Sequence, residues 1–182
     1  GSRLYISRAR SDAAECTGAT GWDAGFDSVI HQVNKGIRIW GDYDYITVSG
    51  RAAASGGNHG WWIDYSTVTQ GSAIEFISGS DADYNLFEYM DIQGPGYVTY
   101  TSDGRGLDLT PHIPNGPRSA TGNTFSHLKI WNWETAVINV GVDNSTFEYL
   151  EMYDIGAINA STFHPNGIII WSSSGGIVRY SK

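Results

Sequence analysis

Asn85-Leu86-Phe87-Glu88-Tyr89-Met90-Asp91-Ile92 and Asn123-Thr124-Phe125-Ser126-His127-Leu128-Lys129-Ile130 are two copies of one phrase. A third copy, Asn144-Ser145-Thr146-Phe147-Glu148-Tyr149-Leu150-Glu151-Met152, carries one extra residue. Each copy ends in an apolar doublet, Met90-x-Ile92, Leu128-x-Ile130 and Leu150-x-Met152, and Ile46-x-Val48 precedes them. The doublets start 44, 38 and 22 residues apart. A period of roughly 20–50 residues points to stacked repeats before any other fold. The shortest interval sets a minimal repeat, and the longer ones carry inserted loops.

A second series interleaves with the first: Ile74-x-Phe76, Leu107-x-Leu109, Ile138-x-Val140 and Ile168-x-Ile170. Each repeat therefore holds at least two short strands. Residues i and i+2 of a strand share a face, so each pair stacks on the pairs above and below it. Tyr5, Ile6, Ile37 and Ile39 mark an earlier, less regular repeat, and Ile177 and Val178 begin another. One column of Val48, Ile92, Ile130 and Met152 is expected to line the interior.

The phrases Ile37-Arg38-Ile39-Trp40-Gly41-Asp42-Tyr43-Asp44-Tyr45-Ile46-Thr47-Val48-Ser49-Gly50 and Asn166-Gly167-Ile168-Ile169-Ile170 resemble right-handed parallel β-helix proteins of the pectate-lyase-like group. The likeness spans most of residues 37–180. It implies an all-β solenoid of about five turns, with residues 37–182 as repeats that stop part-way through a turn. Polysaccharide lyases, glycoside hydrolases, adhesins and tailspikes share that fold, so the resemblance alone does not choose a reaction.

Residues 3–36 are expected to form an irregular cap containing the first strand. Phe26, Val29, Ile30 and Val33 have helical spacing, Asp27 suits an N-cap and Gly36 a C′ residue, so a short capping helix is expected there. Ser11 to Glu15 offers a second helical turn. A cap would cover the open core and unpaired edge at the solenoid end. The uncapped C-terminal end is open to self-association.

Composition narrows the partners. A formal net charge of −8 argues against nucleic acid and anionic membranes, and mildly against a polyanion unless local cations offset it. Glycine is abundant at 23 residues, as strand corners require. Cys16 stands alone, so no internal disulfide forms. The group's usual setting is secreted or cell-surface.

Chemistry is sought on the outer faces, where equivalent residues of successive strands lie roughly 4.8 Å apart. The middle residues of the second series are Glu75, Asp108, Asn139 and Ile169. Adjacent carboxylates at Glu75 and Asp108 suit an acid and nucleophile pair, which needs about 5 Å between the groups. Their repulsion is otherwise met by arginines or solvent. Asn139 would position a sugar hydroxyl. His112 and His164, each beside a Pro-Asn-Gly turn, are candidate general acids or bases. Arg105 would pair with Asp108 or receive a substrate carboxylate. Trp61 and Trp62 are candidate sugar-stacking platforms.

The middle residues of the first series, Thr47, Asp91, Lys129 and Glu151, alternate in sign and are expected to form a structural charge ladder. No zinc spacing is present. Asp42-x-Asp44 and Asp81-x-Asp83 suit Asx-turns, or a calcium ion. The resulting expectation is a carbohydrate-active protein, a polysaccharide lyase or glycoside hydrolase. The alternative is a non-catalytic glycan-binding or structural module such as an adhesin or tailspike fragment.

Overall fold

The computed structural model describes residues 3–8, 10, 20–21, 23, 25, 29–52, 59–68, 71–77, 81–96, 104–110, 120–156 and 166–182. The strands begin with β1 (Leu4–Ser7), β2 (His31–Val33), β3 (Ile37–Ile39), β4 (Ile46–Ser49), β5 (Trp61–Asp64) and β6 (Ser72–Phe76). They continue with β7 (Leu86–Gln93), β8 (Arg105–Leu109), β9 (Ala120–Thr121), β10 (Thr124–Trp131) and β11 (Thr135–Val140). The last are β12 (Val142–Asp143), β13 (Thr146–Glu148), β14 (Glu151–Tyr153), β15 (Asn166–Trp171) and β16 (Ile177–Arg179). Among the described residues there is no α-helix, and none of the helices that a membrane span would need.

Every pairing between these strands is parallel. A nine-stranded sheet follows β1-β4-β7-β10-β13-β16, with β14, β5 and β2 continuing its second half. A five-stranded sheet runs β15-β11-β8-β6-β3, and β12 and β9 form a third. From β6 onward the chain visits the large sheet between successive visits to the five-stranded one. Parallel neighbours require such long returns. The topology is compatible with a parallel β-helix.

The two copies of the opening phrase lie side by side as β7 and β10, Phe87 on Phe125 and Ile92 on Ile130. Both strands bend midway. Tyr89 and His127 have φ of 56° and 51°, in the left-handed region that bulky residues seldom enter. Tyr149 and Tyr180 repeat this at the same register position, with φ of 53° each. The bend divides the large sheet into two halves with separate inward columns. Gly50 is required beside it, because a Cβ there would collide with the Tyr89 carbonyl.

The first half stacks Val48, Phe87, Phe125, Phe147 and Val178 inward; the second stacks Val33, Ile63, Ile92, Ile130 and Met152. The expected column therefore holds for Ile92, Ile130 and Met152 but not for Val48. Val48 lies on Phe87, and Ile63 takes the place assigned to it. The phenylalanines form a stacked ladder with centroids 5.3 Å apart at both steps. Phe76 of the five-stranded sheet tilts against two of them at 6.1 Å.

The capping helix is not found. His31–Val33 is a strand hydrogen-bonded to Trp61–Ile63, and Gln32 Nε2 donates to Asp64 Oδ2 at 2.6 Å. Val29, Ile30 and Val33 are all exposed, so their helical spacing buries no shared face. Strand pairing satisfies backbone groups that an isolated short helix would leave to water. Phe26, Asp27 and Ser11 to Glu15 lie outside the described residues.

A buried asparagine ladder closes the corner before β7 and β10. Asn85 Oδ1 accepts from Ile46 N–H at 2.7 Å, and its amide donates to Tyr43 O at 3.0 Å. Asn123 Oδ1 accepts from Asn85 N–H at 2.9 Å, and its amide donates to Ala82 O at 2.8 Å. Ser145 occupies the same register place one strand on, fully buried, with no partner for its Oγ among the described residues. Ser145→Asn should extend the ladder and stabilise the fold by about 1 kcal/mol, seen as a Tm gain of about 2–4 °C. An unchanged or lowered Tm would show that the corner has no room for the amide.

Candidate functional site

Glu75 and Asp108 are direct register partners on β6 and β8, as expected from the series. Each carries its own cation. Arg38 Nε lies 2.9 Å from Glu75 Oε2, and Arg105 Nη1 lies 2.7 Å from Asp108 Oδ2. Asp108 also accepts from Thr110 Oγ1 at 2.7 Å and Ser72 Oγ at 3.4 Å. Asp108 is buried and fully engaged. Asp108→Asn should therefore destabilise the fold by about 1–3 kcal/mol through loss of charge-assisted bonds. A denaturant melt showing an unchanged or raised midpoint would instead mark a strained carboxylate.

Asn139 does not join that outer column. On β11 the inward residues are Val137 and Asn139, and Ile138 sits opposite Asp108. The expected frame was one residue out, which sends a side chain to the other face. Asn139 is fully buried, and its amide donates to Val142 O at 3.2 Å. Trp61 packs on the core beside Met90, whereas Trp62 points to the outer face next to Asp91. Both His112 and His164 lie outside the described residues.

The charge ladder is present in register for Asp91, Lys129 and Glu151 but not as ion pairs, and Thr47 lies outside it, beside Leu86. Asp91, Lys129 and Glu151 are consecutive partners. Yet Asp91 pairs with His59, Glu151 with Lys182, and the Lys129 ammonium sits 5.7 Å over the Tyr153 ring. A ring face and closer partners outcompete a solvent-exposed ion pair across strands.

The two aspartate motifs serve the corners. Asp44 Oδ1 accepts from Asp83 N–H, and Asp83 Oδ1 accepts from Thr121 N–H, at 2.8 and 2.7 Å. Burial pushes the Asp83 carboxyl above the usual range, with neighbouring Asp81 and Asp44 adding to it and the Thr121 bond opposing. Among the described residues no three His, Cys, Asp or Glu side chains are grouped to hold a metal ion.

The outer face of the large sheet carries features that the doublet analysis passed over. In its first half, Thr47, Leu86 and Thr124 form one outward row and Ser49, Glu88, Ser126 and Glu148 the next. Together with Tyr84 and Arg3, all of these except Ser49 line an open groove of about 550 Å³. Glu148 is held by Arg179 at 2.6 Å. Glu88 has no ion pair among the described residues, and Ser126 Oγ lies 2.7 Å from His127 Nδ1.

Along the bend runs an outer ring ladder. His127 stacks on Tyr89 and on Tyr149 at 4.5 Å each, and Tyr149 on Tyr180 at 5.0 Å. These rings cover one another's faces, so the ladder offers edges and hydroxyls along its length. Beyond it, in the second half, His59 Nδ1 lies 2.6 Å from Asp91 Oδ1, both side chains about three-quarters buried or more. The aligned phrases do show the recurring Tyr89, His127 and Tyr149, but nothing in them brings in His59, which lies between strands.

No protein-family model, no curated protein and no solved structure matches this chain.

Proposed function

We propose that the chain is a right-handed parallel β-helix that binds a polysaccharide along the outer face of its large sheet. One observation carries this reading: the groove is lined by the half-buried Thr124 and by the Glu88 carboxylate, which makes no ion pair among the described residues, with the buried Thr47 and Ser126 set beneath them and bonded to Arg3 and Glu148. An intact carboxylate accepts two hydroxyl bonds at once, which suits the vicinal diols of a pyranose. Strands repeat roughly every 4.8 Å, close to the advance of an extended sugar chain per residue. A secreted or cell-surface setting goes with the same reading, as does a partner that is neither nucleic acid nor membrane.

Hydrolysis at Glu75 and Asp108 is the second reading, favoured by their adjacency in register. The arginine beside each carboxylate weighs against it, because it occupies an oxygen that a hydrolase would turn to substrate. Affinity electrophoresis through gels containing single polysaccharides tests the first reading. At least one polymer should retard the protein, and Thr124→Arg, which fills the groove from an outward position, should abolish the retardation at unchanged Tm. Equal retardation of Thr124→Arg would move binding elsewhere, and no retardation by any polymer would reject the function.

A further inference from the structure

The two outermost strands of the large sheet, β1 on one side and β16 on the other, match each other as edges. Ile6 stacks inward on Val48 and Val178 stacks inward on Phe147, yet they are 44% and 46% exposed. Each is a core position with no strand beyond it among the described residues. Their backbone parity also matches. Leu4 N–H donates to Tyr45 O, so Leu4 and Ile6 face β4 and the backbone groups of Tyr5 and Ser7 face the open edge. Ile177 N–H donates to Ser145 O and Tyr149 N–H donates to Arg179 O, so on β16 the backbone groups of Val178 face the open edge. In a parallel pairing of β16 with β1, Val178 N–H donates to Tyr5 O and Ser7 N–H donates to Val178 O. That pairing sets Ile6 directly on Val178 and continues the inward column. The shapes match as well. β13, β14 and β15 make one turn, so β16 stands one strand beyond β15, where the inward Ile170 is 43% exposed. On the opposite side the step is reversed: Ile39 of the edge strand β3 is only 6% exposed, whereas Ile6 is open.

We propose that copies of this chain associate head to tail, β16 of one copy pairing in parallel with β1 of the next. An open apolar edge strand is a template for another strand, and the occupant that fits both edges is a second copy. Charge favours the same orientation. Among the described residues, 3–8 and 29–39 carry Arg3, Arg8, Lys35 and Arg38 and no carboxylate, whereas Asp143, Glu148, Glu151 and Asp154 outnumber Arg179 and Lys182 beside β16. Unlike ends therefore attract, and two β1 ends repel. Such an interface uses different surfaces on the two copies, so association continues past the dimer unless the rotation closes a ring. Stacked this way, the outer rows of the large sheet run on from copy to copy. The proposal stands independently of the polysaccharide reading.

The experiment is analytical ultracentrifugation of the full chain from micromolar to millimolar concentration, with one variant at each edge. Ser7→Pro removes the N–H that β1 offers to a new strand and breaks no bond to β4, because that N–H faces the open edge. Val178→Lys sets an ammonium in the apolar contact on β16. The average mass of the wild-type chain should rise with concentration and pass that of a dimer. Each variant alone should stay at 19.9 kDa. An equimolar mixture of the two should form a dimer and stop there, because each keeps one working edge. Both positions are exposed, so both variants should keep the wild-type Tm; Ile6→Lys and Val178→Pro serve the same two edges if either fails to fold. A wild-type chain that stays monomeric throughout would overturn the proposal. So would a mixture that stays monomeric. Dimers of Ser7→Pro alone would mean that β16 edges pair with each other, and dimers of Val178→Lys alone that β1 edges do; either result excludes head-to-tail association. Growth of both variants like the wild type would place the contact away from these edges.

Discussion

Phe125→Ala should cost about 3–5 kcal/mol, the usual range for truncating a buried phenylalanine. At about 2–4 °C of Tm per kcal/mol for a chain of this size, the shift is the largest expected of any single substitution in the interior. Phe125 is fully buried and stacks between Phe87 and Phe147 at 5.3 Å on either side. Phe76 of the facing sheet closes the cluster at 6.1 Å. The cavity would thus open where four rings meet, and rigid strands on both sides limit collapse into it. Phe125→Leu should recover more than half of the loss. A melt in which Phe125→Ala falls by under about 1 kcal/mol would place this ring outside the core.

Asn123→Ala is expected to come close to the same cost by a different route. The Asn123 side chain is fully buried and holds three backbone groups: the Asn85 N–H and the carbonyls of Ala82 and Thr121. The Thr121 carbonyl keeps its bond from Tyr84 N–H, so two buried groups are left unpaired at about 1–3 kcal/mol each, and a total of about 2–5 kcal/mol follows. Asn123→Asp separates donor from acceptor. It keeps the bond from Asn85 but sets a carboxylate against two carbonyls, so it too should destabilise. Equal stability of wild type and Asn123→Ala by chemical denaturation would mean that water replaces the amide at that corner.

The parallel strand architecture was legible because it is written in apolar spacing. Both series became strands, and β7 and β10 paired in the register of their aligned phrases. Two errors of frame followed, one from treating the first-series doublets as one column and one from the choice of alternation on β11. The φ of 56° at Tyr89 and 51° at His127 breaks the alternation within each single strand, so Val48 and Ile92 fall into different columns. A backbone bend at a bulky residue has no propensity signal, since such residues seldom adopt it. Asn139 was misplaced because Val137, Ile138 and Val140 allow two alternations, and the buried one includes a polar residue that sequence patterning assigns to the surface. The helix over 27–36 failed within the described residues because His31–Val33 pairs as an edge strand, and only Val33 of the four apolar positions lies in it.

The candidate site was less legible. Glu75 and Asp108 were placed as neighbours, and Arg105 as a partner open to Asp108, which it does pair with; Arg38, which pairs with Glu75 from the next strand, was missed. Glu88, Ser126 and Glu148 stand in the aligned phrases at one column and were open to reading. Instead, the middle residues of the doublets drew attention to the neighbouring row. His59 meets Asp91 across 32 residues from a position outside the strands, and no local pattern announces such a pair.

Amide chemical-shift mapping during titration with the polysaccharide that retards the protein most tests the central claim directly. The account predicts shifts clustered on the outer face of the large sheet, at Thr47, Tyr84, Glu88, Thr124 and Ser126, with Glu75 and Asp108 unmoved. Shifts confined to the five-stranded sheet, or spread without a cluster, would contradict it.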